Sequence, residues 1–282
     1  MPLVSIREEV VRARAGGYAL PLFLTFDLAS AEGIFMAVAE RRAPAMVGVY
    51  GPCLDKPGGA VLAAIVRTLA AESPVPVSLM LDHGSSPDQC AKALALGFTD
   101  VMYDGSKLPI DENIANVRRV AAMARDAGAG IEAELGIVGS GSQYDSFGAA
   151  GMGFTGPADA ERFYAETQVD ILAVAIGNAH GLYKGEPRLD LDLLGDLSRR
   201  VRAPLSLHGG TGLADDQFRA AIAGGIAKVN IFTDLSLAAA DEVARLAASG
   251  KKSYFNILDG IRTAFRDRCC RYIDVFGAAG RG

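Results

Sequence analysis

The chain has 282 residues, of which 50% are hydrophobic and 22% are charged. This ordinary globular composition argues against a largely disordered, coiled-coil or collagen-like protein. Lys and Arg number 28 against 33 Asp and Glu, so the formal net charge is -5, and no basic run offers a footprint for a phosphate backbone. We therefore expect no nucleic acid partner. The length fits one α/β barrel domain over residues 1–282.

The N-terminal segment Met1–Gly17 mixes apolar and charged residues instead of showing a basic start followed by an apolar stretch. No stretch of about 18 consecutive apolar residues occurs in the sequence. We therefore expect neither a signal peptide nor a membrane span. The four cysteines, two of them adjacent, show no paired metal spacing and no disulfide framework, which favours a reduced, cytoplasmic environment.

Short segments rich in β-branched and apolar residues alternate along the chain with longer segments of helical periodicity. The short segments predict eight strands: Ala19–Thr25, Ala45–Tyr50, Pro76–Asp82, Asp100–Tyr103, Gly130–Gly136, Asp170–Ile176, Ala203–Leu207 and Ala227–Ile231. The longer segments, several of which begin at Ser, Asp or Pro and end at Gly, predict helices: Ala31–Arg42, Ala60–Ala71, Pro87–Leu96, Glu112–Ala127, Ala158–Thr167, Leu191–Arg200, Ala214–Ala223 and Leu235–Leu246.

The alternation of strands and helices predicts the fold class. Strands of nearly continuous apolar character, each followed by a helix, favour a parallel sheet covered by helices. Eight such units close the sheet into a (β/α)8 TIM barrel. An open doubly wound sheet is the alternative, and the barrel is favoured because no linker or composition shift divides the chain. Residues from Lys251 onward predict an amphipathic tail helix that packs on its own barrel or on another subunit.

All three histidines of the chain follow predicted strands: His83 the third, His180 the sixth and His208 the seventh. In a TIM barrel the loops after the strands converge at one end, where the active site lies. A single histidine at such a position is often a structural core residue, but three imidazoles with one open position form a usual catalytic zinc arrangement. We therefore predict a metal site with zinc as the ion, although other divalent ions also bind imidazole.

Three carboxylates lie at the ends of strands near the predicted metal site. Asp82 precedes His83 and is a candidate proton donor or acceptor; its alternative role is to orient a ligand histidine. Asp104 and Glu134 follow or end the fourth and fifth strands, where they would either hold the imidazoles or offer an alternative metal position. A purely structural role for these two residues is equally compatible with the pattern.

Glycine and hydroxyl residues follow the last two strands. The segment 208–212 reads His-Gly-Gly-Thr-Gly after the seventh strand, and 230–233 reads Asn-Ile-Phe-Thr after the eighth. TIM barrels frequently bind a phosphate there, on backbone N–H groups and a helix N-terminus. Lys184 adds a cation to the loop after the sixth strand. The pattern predicts a phosphate ester as the ligand, whereas a single glycine loop would be compatible with a simple turn.

These residues resemble the zinc-dependent class II aldolases, in particular the tagatose- and fructose-bisphosphate aldolase group. The similarity runs from about Pro21 to the tail. Its densest segments are 81–84, 132–136, 175–181 and 207–212, and the segments 104–109 and 112–114 also resemble the family.

The resemblance implies a homodimer or homotetramer that reversibly cleaves a ketose (bis)phosphate to dihydroxyacetone phosphate and an aldehyde. It implies that the three histidines hold Zn²⁺, which stabilises the enediolate, and that Asp82 moves a proton at the aldehyde-derived oxygen. A monovalent cation, Na⁺ or K⁺, often assists in the family. The residues implied to surround the phosphate or the dihydroxyacetone group are Gly181, Lys184, Gly209, Gly210, Thr211, Asn230 and Thr233.

The sequence departs from the family in the loop after Gly136 and at three strand ends. A glutamate in that loop is the family's carbon-acid base, but the segment 137–145 here reads Ile-Val-Gly-Ser-Gly-Ser-Gln-Tyr-Asp. Asp145 is the substitute candidate, with Tyr144 as a weaker one. The other departures are Leu22-Phe23-Leu24 for Ala-Phe-Asn, Tyr50-Gly51 where a serine is usual, and Phe232 where an alanine or aspartate is usual.

The departures lie on the aldehyde side and in the proton-transfer loop, whereas the metal and phosphate residues match the family. We therefore predict a zinc-dependent aldolase with a non-standard aldehyde partner. One alternative is a sugar-phosphate-binding protein that has lost its base. Another is a metal-dependent sugar-phosphate isomerase or epimerase, which uses the same enediolate chemistry.

Overall fold

Eight parallel strands close into a barrel in which each strand pairs with its neighbours in the chain, and the last pairs with the first. The computed structural model describes residues 3–144, 153–251 and 253–282. The barrel strands are β1 (Leu20–Leu24), β2 (Ala45–Tyr50), β3 (Val77–Gly84), β4 (Asp100–Tyr103), β5 (Gly130–Leu135), β6 (Ile171–Val174), β7 (Leu205–Leu207) and β8 (Ile226–Ile231). The predicted TIM barrel is confirmed, and closure excludes the open sheet.

Helices surround the barrel, and the predicted ones all occur, with ends shifted by a few residues. In the described part of the chain they are α1 (Arg7–Gly16), α2 (Leu28–Arg41), α3 (Gly51–Leu54), α4 (Gly59–Ala71), α5 (Pro87–Ala95), α6 (Ile110–Asp126), α7 (Pro157–Thr167), α8 (Leu191–Arg200), α9 (Asp215–Ala223), α10 (Thr233–Ala248) and α11 (Tyr254–Val275). Among these described helices, none is long and apolar enough to cross a membrane.

Side chains fix where several helices begin. The Asp27 carboxylate accepts a hydrogen bond from the Ser30 N–H at the start of α2, and the Ser86 hydroxyl accepts one from Gln89 N–H at the start of α5. These bonds satisfy N–H groups that have no partner within the helix. The capping residues therefore separate each helix from the strand before it.

The helix α1 was absent from the sequence prediction. Ile6, Val10 and Ala13 are fully buried and recur at helical spacing, but the charged residues between them obscured that spacing. The Arg14 guanidinium donates to main-chain carbonyls of the segment 198–203, which precedes β7. The helix thus lies against the end of the barrel opposite the predicted site.

The predicted tail helix is α11, and it packs closely on α2. Phe265, Cys269 and Ile273 are buried on its inner face. A Cβ at Gly33 of α2 would lie 2.5 Å from the Arg262 carbonyl oxygen and 2.7 Å from the Phe265 Cβ. Because a side chain at that position would overlap the main chain of α11, glycine allows the two helices to approach. The tail helix therefore packs on its own barrel.

Candidate active site at the barrel mouth

The structure brings all three histidines together at the ends of the barrel strands. His83 lies near the end of β3, His208 follows β7, and His180 lies in a two-residue strand after β6. The ring centroid of His83 lies 5.0 Å from that of His180 and 4.8 Å from that of His208. One nitrogen from each ring lies within 4.8 Å of the other two. The convergence expected from a TIM barrel therefore occurs.

A carboxylate orients the His83 ring. The Asp104 Oδ2 atom lies 2.8 Å from His83 Nδ1, and Ser106 holds Asp104 through its N–H and its hydroxyl. Burial lowers the pKa of His83, but the negative charges of Asp82, Asp104 and Glu134 outweigh it and raise the pKa to about 10. With Nδ1 donating to Asp104, the His83 Nε2 atom is directed toward the other histidines.

A second carboxylate orients His208, which is fully buried. Glu132 Oε1 lies 2.8 Å from His208 Nε2, and Lys228 Nζ lies 2.9 Å from the other oxygen of Glu132. Burial lowers the pKa of the His208 imidazole. An ionised carboxylate only accepts hydrogen bonds, so His208 Nε2 donates and Nδ1 is directed to the mouth. That Nδ1 atom lies 3.0 Å from His83 Nε2.

His180 contributes a ring nitrogen with no hydrogen-bond partner. Its Nε2 atom is buried and unpaired within the part of the chain that the structure describes. Burial, reinforced by His83 and His208, lowers the pKa of His180 to about 3, so the ring is neutral. Buried polar atoms normally have partners. Three imidazole nitrogens that meet at one point, one of them unpaired, are the donor set of a catalytic zinc site, and the residues fit that ion.

Glu134 lies beside the histidines. Its Oε2 atom lies 3.8 Å from both His83 Nδ1 and His208 Nδ1, and it has no hydrogen-bond partner among the described residues. Burial and the nearby Asp104 charge raise the pKa of Glu134 to about 8. His83, Asp104 and Glu134 form a second group that could hold a metal ion. Asp104 therefore holds an imidazole, and Asp104 and Glu134 together could also provide an alternative metal position.

Asp82 lies at the same mouth and is almost fully buried. Its Oδ1 atom accepts a hydrogen bond of 2.8 Å from Asn230 Nδ2. The Asn230 side chain also contacts Lys228 Nζ through Oδ1, so it faces the interior of the barrel. The structure therefore places Asn230, predicted near the dihydroxyacetone group, directly against the predicted proton-transfer residue.

The other residues predicted around a phosphate lie on the loops after β6, β7 and β8. Gly209 has a φ of 70°, and a Cβ there would lie 2.1 Å from the Ala179 carbonyl oxygen, so the loops after β6 and β7 touch. The Thr211 hydroxyl accepts a hydrogen bond from the Asp234 N–H, and Thr233 begins α10. The remaining predicted residues on these loops are Gly181, Lys184 and Gly210.

The loop after β5 also reaches His180. Ser140 pairs with His180 in a two-stranded sheet. The buried Tyr144 hydroxyl donates to the Arg188 carbonyl and accepts from the Arg188 N–H, at 3.2 and 2.7 Å. Tyr144 therefore anchors the loop on the segment after β6, and Asp145 lies outside the described residues.

Sequence reasoning missed three residues that support the site. Tyr183 OH accepts from the Ala179 N–H and donates to the Gly209 carbonyl, both at 2.8 Å, so it joins two loops of the mouth. Glu132 and Lys228 form a buried ion pair below His208. A lysine in the buried strand Ile226–Ile231, two residues before Asn230, was the signal that could have revealed this pair.

Aromatic side chains border the mouth above β8, β1 and β2. The Phe26 and Phe232 rings lie 4.6 Å apart between centroids, and Tyr50 meets the His83 ring edge-on at 6.3 Å. Phe26 and Tyr50 are 36% and 39% exposed, so a ligand at the mouth can contact them. Leu24, at a position where the family often has an asparagine, is buried.

Known proteins resemble this chain over nearly its whole length. It matches the family model described as fructose-bisphosphate aldolase class-II over residues 4–281. A fructose-bisphosphate aldolase of Staphylococcus aureus is 35% identical over 286 residues, covering 100% of this chain and 99% of that protein. A 6-phospho-5-dehydro-2-deoxy-D-gluconate aldolase of Halalkalibacterium halodurans is 38% identical over 257 residues, covering 90% and 88%.

A solved structure shows the same architecture. The YdjI aldolase from Escherichia coli K12 superimposes with a TM-score of 0.89 at 29% identity, and 99% of each chain is covered. Fold, sequence and the histidine cluster agree. The chain belongs to the class II fructose-bisphosphate aldolase family.

Proposed function

We propose that this aldolase is zinc-dependent and reversibly cleaves a ketose (bis)phosphate to dihydroxyacetone phosphate and an aldehyde that differs from glyceraldehyde 3-phosphate. The observation that carries the zinc assignment is that one ring nitrogen from each of His83, His180 and His208 lies within 4.8 Å of the other two, and that His180 Nε2 is buried without a partner among the described residues. A zinc ion bound there supplies Lewis-acid polarisation of a substrate carbonyl. We also propose that a monovalent cation, Na⁺ or K⁺, assists the reaction.

Asp82 is proposed to hold and return the proton at the aldehyde-derived oxygen. Its carboxylate lies next to His83 in the chain, and Asn230 Nδ2 holds one of its oxygens at 2.8 Å. The second oxygen is then available to the substrate. A buried carboxylate that is held in place is suited to proton transfer because its geometry is set before the substrate binds.

The phosphate is proposed to bind where the loops after β6, β7 and β8 meet. Thr233 begins α10, a helix of 16 residues whose N-terminal N–H groups and dipole favour an anion. Gly209 brings its backbone against the loop that carries Gly181 and the exposed Lys184. Gly210 and Thr211 are the other residues that we propose to bind the phosphate.

We base the proposal of a different aldehyde on the residues that follow β1, β2 and β8. The segments 25–27, 51–58 and 232–234 contain Phe26, Phe232 and three aspartates, and Lys56 is their one basic residue. A phosphate on the aldehyde would meet three carboxylates and only one cation in these segments. Relatives of nearly equal identity carry names of aldolases for two different substrates, so similarity alone does not select fructose 1,6-bisphosphate.

Asp145 is proposed as the base that removes the carbon-bound proton. It follows the buried Tyr144 in the sequence, in the loop where the family usually carries a glutamate. Asp145→Asn should then abolish proton exchange while dihydroxyacetone phosphate still binds.

Proton exchange tests the proposed function directly. Zinc-loaded protein is incubated with dihydroxyacetone phosphate in heavy water, and loss of the C–H signal is followed by NMR, with a chelator-treated control. Metal-dependent exchange supports the aldolase half-reaction and justifies a screen of aldehydes. Binding without exchange would favour the sugar-phosphate-binding alternative, and a rearranged product without an aldehyde would favour an isomerase or epimerase.

A further inference from the structure

A lysine lies fully buried inside the barrel, below the histidine cluster. Lys228 Nζ lies 2.9 Å from Glu132 Oε2 and 3.1 Å from Glu132 Oε1, and it also contacts the Asn230 Oδ1 atom. The side chains of Lys228 and Glu132 have no exposed surface. Burial of two charges is costly, and replacing such a pair by apolar residues is often neutral or stabilising. This pair therefore calls for a role other than stability.

The first branch of contacts runs from Lys228 through Glu132 to His208. An ammonium group only donates hydrogen bonds, and an ionised carboxylate only accepts them. Glu132 Oε1 lies 2.8 Å from His208 Nε2, so that nitrogen must carry the ring proton. The lone pair of His208 Nδ1 is consequently directed to His83 Nε2, 3.0 Å away.

The second branch runs from Lys228 through Asn230 to Asp82. The side-chain amide of asparagine has one accepting end and one donating end. Because Lys228 can only donate, the Asn230 Oδ1 atom faces it, and Nδ2 faces Asp82 at 2.8 Å. If the amide turned over, its oxygen would face the Asp82 carboxylate and the hydrogen bond would be lost.

We infer that Lys228 is a positioning residue: one buried ammonium group sets the tautomer of His208 and the amide orientation of Asn230. Through Glu132, Lys228 determines which nitrogen of His208 faces the metal site. Through Asn230, it holds the Asp82 carboxylate in position. The inference rests on the proposed function, because it assumes that a metal ion binds the histidines and that Asp82 moves a proton. Among the described residues, the polar contacts of Lys228 Nζ are with Glu132, Ser206 and Asn230, so its effect on His208 and Asp82 is indirect.

The tautomer of His208 can be observed in the full-length protein after a chelator has removed zinc, so that no metal ion fixes the position of the ring proton. The chain has only 3 histidines, so ¹⁵N-histidine labelling gives two ring-nitrogen signals from each of three residues. Long-range ¹H–¹⁵N correlations should show His208 with its proton on Nε2 and none on Nδ1. A proton on Nδ1, or a mixture of both tautomers, would overturn the inference without any variant having to fold.

Variants test whether Lys228 causes this arrangement. Lys228→Met alone leaves the Glu132 carboxylate buried without its cationic partner, so it is expected to reduce the yield of folded protein. The double variant K228M/E132Q removes both charges with little change in volume. The glutamine amide introduced at position 132 can present either end to His208, so we expect mixed His208 tautomers and a zinc affinity lower by about 10- to 100-fold, measured by competition with a chelating dye.

Asp100→Asn is the matched control, because Asp100 is another buried acid that lies at the start of β4, away from the mouth. Its zinc affinity and His208 spectrum should equal those of the wild type. A folded double variant with unchanged tautomer and a zinc affinity within about twofold of wild type would overturn the inference, and if the double variant does not fold, the wild-type spectrum decides. Failure of the proposed function is separate: the wild type would then bind zinc with the expected tautomer but exchange no substrate protons.

Discussion

The Nε2 atom of His83 lies 3.0 Å from the Nδ1 atom of His208. The opposite nitrogen of each ring faces a carboxylate at 2.8 Å, Asp104 for His83 and Glu132 for His208. The raised pKa of His83 keeps a proton on its Nε2 atom as well, and that proton can be donated to the lone pair of His208 Nδ1. A metal ion can take the place of that shared proton, because the outer carboxylates already hold both rings with their inner nitrogens facing each other.

Zinc should therefore stabilise the folded protein, and His180 should be required for the effect. Zinc at about 1,000 times its dissociation constant is expected to add about 4 kcal/mol to the free energy of unfolding. In His180→Gln this zinc-dependent increase should largely disappear, because one of three imidazole ligands is lost. Urea unfolding with zinc or with chelator measures it. Asp100→Asn should keep the increase, and a full effect of zinc on His180→Gln would contradict the assignment.

Asp82→Asn should separate the two halves of the reaction. Asp82 is proposed to act at the aldehyde-derived oxygen, so its loss should slow carbon–carbon bond formation by about 10²- to 10⁴-fold. Proton exchange of dihydroxyacetone phosphate should continue, since that step uses a different base. The amide oxygen introduced by this substitution can still accept a hydrogen bond from Asn230. Equal loss of exchange and condensation would show instead that Asp82 removes the carbon-bound proton.

The fold and the positions of the histidines followed from the sequence because both obey simple rules. Strand and helix periods differ, and the loops after parallel strands of a barrel meet at one end. The roles of Glu132 and Lys228 did not follow. Glu132 lies on β5, His208 follows β7, and Lys228 and Asn230 lie on β8. Only the closed barrel shows that these four side chains meet. Likewise Tyr144, considered as a base, is engaged by the main chain of Arg188.

The aromatic rings at the mouth should favour an uncharged aldehyde. Wild-type protein with dihydroxyacetone phosphate is expected to condense glyceraldehyde with a higher kcat/KM than glyceraldehyde 3-phosphate. Phe232→Ala removes the partner of the Phe26 ring, 4.6 Å away, and should lower kcat/KM for the uncharged aldehyde by up to about tenfold. Exchange of dihydroxyacetone phosphate protons serves as the control and should not change. A preference for the phosphorylated aldehyde would refute the altered acceptor.

Asp100 should make the stability of the barrel depend on pH. The carboxyl accepts hydrogen bonds from the Ser5 hydroxyl and the Ile6 N–H, but burial raises its pKa from about 3.8 to about 7. Between those values the folded protein keeps a proton that the unfolded chain releases. The contribution of Asp100 to stability is therefore fully present below about pH 4, declines as the pH rises, and is lost above about pH 7.

Asp100→Asn isolates this effect. An asparagine can accept from the Ile6 N–H and donate to the Ser5 hydroxyl, so the local contacts persist without a titrating group. From pH 5.5 to 8.5 the wild type should lose about 2 kcal/mol of unfolding free energy more than the variant, because each pH unit below the folded pKa is equivalent to about 1.4 kcal/mol. Urea titrations at the two pH values measure the difference. Parallel curves for the two proteins would mean that Asp100 is ionised throughout and that its hydrogen bonds outweigh burial.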